Sequence, residues 1–209
     1  METISEGLVR GRLHVPADPW TAGVVLAHGA GSNAESPLLV GVANAFASRG
    51  VLALRINLPF RQQGRTGPPH PARAAHDREG ISEAAAVLRG RGCETVFLGG
   101  HSYGGRQASM LAAENQCSVR ALLLLGYPLH PPRKPDQMRT AHFASLVTPS
   151  LFVSGTRDPF GTPEELRTAL PAHAELILIE GAGHELKPVV KNAASVVEAF
   201  LDYVSRVGD

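Results

Sequence analysis

Thr95-Val96-Phe97-Leu98-Gly99-Gly100-His101-Ser102-Tyr103-Gly104-Gly105-Arg106 is the stretch on which the reading of the fold turns. An apolar run of strand length leads into Gly100-His101-Ser102-Tyr103-Gly104, and a helix-like stretch, 106–114, follows. Gly-x-Ser-x-Gly between a strand and a helix is the sequence form of a nucleophile elbow. The turn is tight and strains the serine backbone. Gly100 and Gly104 let strand and helix approach, so the Ser102 hydroxyl is expected to stand exposed at the sheet edge.

Strand-like and helix-like patterns alternate on either side of this stretch. Val9, Gly11, Leu13 and Val15 share one parity, as in a half-exposed strand near a sheet edge. Segments 23–28, 51–57, 94–99, 119–126, 150–154 and 175–180 read as buried strands. Helices are expected at 37–49, 77–89, 106–114, from Thr162 onward, and at 188–207. Ser36, Pro37 and Gly50 mark the first helix as N-cap, first turn and C-terminal stop. Thr162-Pro163-Glu164-Glu165 fits a capping box. Continuously apolar strands alternating with helices imply an α/β fold with a mostly parallel, doubly wound sheet covered on both faces. Ligands of such sheets bind at the carboxyl ends of the strands. The 23 residues between Gly126 and Ser150 leave room for a short helix around 139–146 but not for a lid domain. The site should therefore be open, and residues 1–209 should form a single domain.

Composition narrows the function classes. A formal net charge of +1 creates no field favouring nucleic acid or an anionic membrane. No run approaches the ~18 apolar residues of a membrane-spanning helix. Met1-Glu2-Thr3-Ile4-Ser5-Glu6 lacks the basic and apolar regions of a signal peptide, so a cytoplasmic location is expected. Cys93 and Cys117 fit neither a disulfide framework nor a metal spacing, and are expected as reduced thiols. The nine histidines follow no zinc pattern, so no metal is expected.

A serine hydroxyl near neutral pH needs an adjacent base, oriented in turn by a carboxylate. After an elbow the chain order is Ser, then Asp or Glu, then His. Asp158, in Ser154-Gly155-Thr156-Arg157-Asp158-Pro159, follows one buried strand; His184, in Glu180-Gly181-Ala182-Gly183-His184, follows the last one. Both loops lie at the sheet edge that carries Ser102, so Ser102, Asp158 and His184 are the candidate catalytic residues. Asp136, after the preceding strand, is the fallback acid. The developing oxyanion needs N–H donors. The residue after the nucleophile, Tyr103, supplies one, and Ala30 in His28-Gly29-Ala30-Gly31-Ser32 is assigned the other, with His28 propping that loop. Absence of Gly-x-Gly-x-x-Gly and of a Lys-Ser/Thr ending disfavours a nucleotide site.

With these residues in view the chain resembles the α/β-hydrolase superfamily over nearly its full length, and within it the small, lidless, dienelactone-hydrolase-like members. Asn57-Leu58-Pro59-Phe60-Arg61, Gly64-Arg65, Pro68-Pro69 and Gly104-Gly105-Arg106 are similar to a branch that includes a testis-expressed protein and a chromatin acetyltransferase complex subunit. Dienelactone hydrolase proper has a Cys nucleophile where this chain has Ser102, so its substrate does not carry over. The resemblance implies a serine hydrolase cleaving a small-molecule carboxylic ester or thioester without a cofactor. The complex subunits in the branch keep a protein-interaction module as the alternative, so a protein partner stays open; nucleic acid and membrane insertion are not expected.

Two further features bear on substrate. Arg61, Arg65, Arg73 and Arg78 concentrate positive charge after the second buried strand, suiting either an acidic substrate group or the ordering of loop carbonyls. Phe60, Tyr103, Tyr127 and Phe160 come from strand ends and either wall an acyl pocket or pack at its rim. Phe60, Arg61, Tyr127 and Phe160 are the candidate substrate-binding residues.

Overall fold

The computed structural model describes residues 1–62, 64, 67–114 and 118–207. Arg65 and Cys117 lie outside the described residues. Eight strands, β1 (Glu2–Glu6), β2 (Val9–His14), β3 (Ala22–Ala27), β4 (Val51–Ile56), β5 (Thr95–His101), β6 (Leu122–Leu125), β7 (Ser150–Gly155) and β8 (Glu175–Ile179), form one sheet in the order β1-β2-β4-β3-β5-β6-β7-β8. The pairs β1–β2 and β2–β4 are antiparallel and the other five are parallel. Ser102, Asp158 and His184 thus follow the carboxyl ends of three parallel strands.

Side chains alternate across a strand, so a sheet covered on both faces must be apolar at both parities. Val25, Leu54, Leu98, Leu124 and Phe152 point to one layer, while Val24, Leu26, Ala53, Phe97, Leu123 and Val153 point to the other. The first layer is closed by α3 (Ala74–Gly90) and α4 (Tyr103–Ala113). The second is closed by α1 (Pro37–Ala47), α6 (Lys187–Lys191) and α7 (Ala193–Arg206), where Phe200 meets Phe97 and Phe46 edge-on at 5.3 and 5.8 Å. Two shorter helices, α2 (Pro59–Gln62) and α5 (Pro163–Ala169), lie in connections. Ser36 Oγ accepts from Leu39 N at 3.3 Å, and Thr162 and Glu165 cap each other reciprocally, at 3.2 and 2.8 Å.

Two elements differ from the sequence expectation. β1 carries a single buried side chain, Ile4, and exists by pairing with β2 through a two-residue turn at Gly7 (φ 48°). The last helix is broken at Asn192 (φ −143°, ψ 68°), dividing α6 from α7. The segment that left room for a short helix holds a 3-10 helix at Ala141–Ser145. Among the described residues no helix is long and apolar enough to cross a membrane.

Candidate active site

Ser102 sits between β5 and α4 with φ 53° and ψ −116°, a region that residues bearing a Cβ rarely enter. Such geometry survives only where the surroundings over-determine it. Here a Cβ on Gly104 would collide with the carbonyl of Ala27, so strand and helix are pressed together around the serine.

The three side chains expected to converge do so. His184 Nε2 lies 2.9 Å from Ser102 Oγ, and His184 Nδ1 lies 2.9 Å from Asp158 Oδ2 and 3.1 Å from Oδ1. In the tautomer this network assigns, Nδ1–H donates to the carboxylate and Nε2 accepts from the serine hydroxyl. Asp158 is buried, and its Oδ1 also accepts from Phe160 N at 2.9 Å, which fixes the carboxylate plane. Asp136, the fallback acid, is exposed in the connection after β6. Phe160 stacks on the His184 ring with centroids 4.2 Å apart, and His101 Nε2–H donates to the His184 carbonyl at 2.9 Å. A Cβ on Gly155 would strike the carbonyl of Ala182, so the loops bearing Asp158 and His184 are packed backbone to backbone.

Ala30 and Tyr103 both line the cavity next to Ser102. Tyr103 is the first residue of α4, where backbone N–H groups have no intrahelical acceptor. The loop bearing Ala30 is held from two sides. Arg61 Nη2 donates to the Ala30 carbonyl at 2.6 Å. His28 accepts from Leu58 N through Nε2 at 3.1 Å and donates through Nδ1 to the Gly29 carbonyl at 2.8 Å. Burial lowers the His28 pKa to about 4, so the ring is neutral and serves as a prop.

Of the four residues expected to contact substrate, Phe160 lines the cavity and the other three do not. Tyr127 is buried against Phe143 and Phe152, at 5.3 and 5.5 Å, because its strand-end position turns it into the layer beneath α4. Phe60 is buried behind Tyr103 and His28, at 5.7 and 5.6 Å. Arg61 is engaged with loop carbonyls and lies over the Phe60 ring at 5.0 Å.

One residue of the surrounding network escaped the sequence reading. Asp77 is fully buried and accepts from Tyr103 Oη at 2.7 Å and from Phe60 N at 3.0 Å. Extending the apolar spacing of Ile81, Ala84 and Leu88 one turn backward lands on Asp77, so its inward direction was readable. Its acceptor role was not, because that depends on where α2 and α4 meet it. Burial holds its carboxyl above the usual range, against the opposing pull of both hydrogen bonds.

The cavity in front of Ser102 has a volume of about 910 Å³. Comparison with known proteins bears on the fold and the family. Residues 21–207 match the alpha/beta hydrolase domain family. The chain is 31% identical over 162 residues to ABHD14B of Pongo abelii, a candidate protein-lysine deacylase, covering 77% of this chain and 73% of that protein. Among solved structures it superposes on an alpha-beta serine hydrolase homologue from Coxiella burnetii with a TM-score of 0.74, at 16% identity over 91% of each chain. Dienelactone hydrolase from Anabaena variabilis gives a TM-score of 0.71 at 22% identity, over 95% of this chain and 96% of that one. A lidless serine hydrolase from Xanthomonas campestris gives 0.68 at 17% identity, over 95% and 88%. These structural likenesses speak for the fold, and the match spanning 21–207 speaks for descent: the chain belongs to the alpha/beta hydrolase domain family.

Proposed function

We propose that the chain, acting as one domain, is a serine hydrolase that cleaves a carboxylic ester or thioester through Ser102, His184 and Asp158. The observation that carries this reading is the continuous relay from Ser102 Oγ to His184 to Asp158, each step 2.9 Å, at a positive-φ elbow facing an open cavity. His184 Nε2 takes the hydroxyl proton as Ser102 Oγ bonds to the substrate carbonyl carbon, and Asp158 stabilises the imidazolium through Nδ1–H. The carbonyl oxygen gains the electron pair and is met by the N–H groups of Ala30 and Tyr103; losing one such donor typically costs ~10²–10³ in turnover. As the tetrahedral species collapses, the bond to the leaving oxygen or sulfur breaks and His184 returns the proton to it. Water, deprotonated by the same imidazole, then releases the acid and restores Ser102. The name of the relative ABHD14B adds N-acyl-lysine amides to the substrates worth assaying.

A fluorophosphonate probe tests the reading. Covalent addition mapped to Ser102, abolished in Ser102→Ala and strongly reduced in His184→Ala, is expected, with ester turnover lost in parallel. A folded protein that does not label, or whose Ser102→Ala variant still turns over esters, overturns it. In that case a search for protein partners is the next step.

A further inference from the structure

The lining of the cavity beside Ser102 is basic. Three arginines line it: Arg78 from α3, Arg106 from α4 and Arg139 from the connection between β6 and β7. Arg78 is neutralised, donating to Glu114 Oε2 at 3.0 Å and to Gln107 Oε1 at 3.1 Å. Among the described residues no carboxylate pairs with Arg106 or Arg139, and Arg106 Nε is buried without a hydrogen-bond partner. The acid on this wall, Glu185, is exposed beside His184.

Both backbones are fixed. Arg106 N donates to the Ser102 carbonyl at 3.0 Å, one helical turn from the serine. The Arg139 amide donates to Leu129 O and its carbonyl accepts from Tyr127 Oη, each at 2.8 Å. The two cations feel each other: burial first, then Arg106, lowers the proton affinity of Arg139. His142 is held at about 4 by burial, Arg106 and Arg78, and so adds no further positive charge. Apolar residues of the same lining include Pro68, Pro69 and Met110. Half-buried like charges without a counter-ion repel and are costly to desolvate, and an oxyanion bound between them relieves both terms. Guanidinium groups also meet carboxylate or phosphate through paired hydrogen bonds.

We propose that Arg106 and Arg139 form an anion subsite, so that the substrate attacked by Ser102 carries a carboxylate or phosphate oxyanion within reach of α4. This deepens the hydrolase reading and rests on it for the identity of the reacting group.

Paired esters that differ only in charge test the subsite. On the acyl side, p-nitrophenyl valerate is compared with the p-nitrophenyl monoester of glutarate; on the alcohol side, phenyl acetate with m-carboxyphenyl acetate. The expected result is a higher kcat/KM for the charged member of one pair, which tells which half of the substrate bears the anion, and a preference that shrinks as ionic strength rises. Arg106→Met and Arg139→Met keep apolar length, and each should lower the charged-to-neutral ratio about tenfold or more. Arg106→Lys should restore part of it. Wild-type protein that disfavours both charged esters, or variants that leave the ratios unchanged, would overturn the subsite. If the fluorophosphonate probe does not label Ser102, the hydrolase reading fails and the subsite is judged by binding alone. Calorimetric titration of Ser102→Ala with glutarate and with phenyl phosphate should then show saturable binding weakened about tenfold by Arg106→Met. Absence of saturable binding to either anion overturns it.

Discussion

At the scale of single residues, Ser102 occupies a conformation that favours glycine, and that has a measurable consequence. Its φ of 53° and ψ of −116° place Cβ against its own backbone. Strain of this kind costs of order 1–3 kcal/mol and is held in place by the packed elbow. Ser102→Ala removes the hydroxyl and keeps the strain; Ser102→Gly removes both. The glycine variant is therefore expected to be the more stable of the two by about 1–2 kcal/mol, even after allowing for the extra freedom glycine gives the unfolded chain. In a chain of this size that is a rise of about 2–8 °C in Tm, read by calorimetry on the two variants. Equal melting temperatures would mean the elbow relaxes and stores no strain.

At the scale of elements, Asp77 joins three helices, since α3 supplies its carboxylate, α2 the Phe60 amide and α4 the Tyr103 hydroxyl. Burial, the largest influence, raises its pKa above the usual carboxylate value. The folded protein therefore holds this proton more tightly than the unfolded chain. Ionisation opposes folding, and the contribution to stability falls as pH rises from about 4 through the folded-state pKa. Asp77→Asn keeps the shape and cannot ionise. Its Tm relative to wild type should climb across that window and then level off. A flat difference would show that the two hydrogen bonds balance burial, and a falling one that they outweigh it. The same helix shows what the sequence could and could not convey. Periodicity and caps revealed α1, α3, α5 and most strands, because each buries an apolar face that recurs in the chain. β1 was missed because its stability comes from a neighbour, with Ile4 alone turned inward. That Ser102, Asp158 and His184 would be brought together was legible because they sit in short loops whose order follows from topology. Tyr127 and Phe60 were not, since a strand-end aromatic points to cavity or core according to the layer beneath it, and that is decided only once α4 and α2 are docked. Arg106 was visible as a residue, but its lack of a counter-ion is a property of the assembled wall.

At the scale of the whole molecule, the site spans sheet regions of unequal strength. Ser102 follows β5, which lies between β3 and β6 and is almost wholly buried. His184 follows β8, the margin of the sheet, where all five residues are only half-buried. The loops bearing Asp158 and His184 are tied to each other by Thr156 N to Ile179 O at 3.1 Å, Arg157 N to Ala182 O at 2.9 Å and Gly181 N to Thr156 Oγ1 at 2.9 Å. They are tied to the elbow mainly through the His101 bond to the His184 carbonyl, the relay itself and the Gly126 turn between them. Local opening needs less free energy where few apolar contacts must be broken, so the β8 margin should open before β3 and β5 do. In the proposed mechanism Ser102 is activated by His184, so the site should fail before the fold. The initial rate of fluorophosphonate labelling is therefore expected to fall at lower urea concentrations than the far-UV circular dichroism. Hydrogen exchange at amides 175–179 should likewise outpace that at 95–101 in native buffer. Exchange does not depend on chemistry at Ser102, so it tests the sheet margin even if labelling has another cause. Coincident urea transitions together with equal protection of the two strands would mean that the sheet opens as one unit, with the positions of His184 and Ser102 lost together.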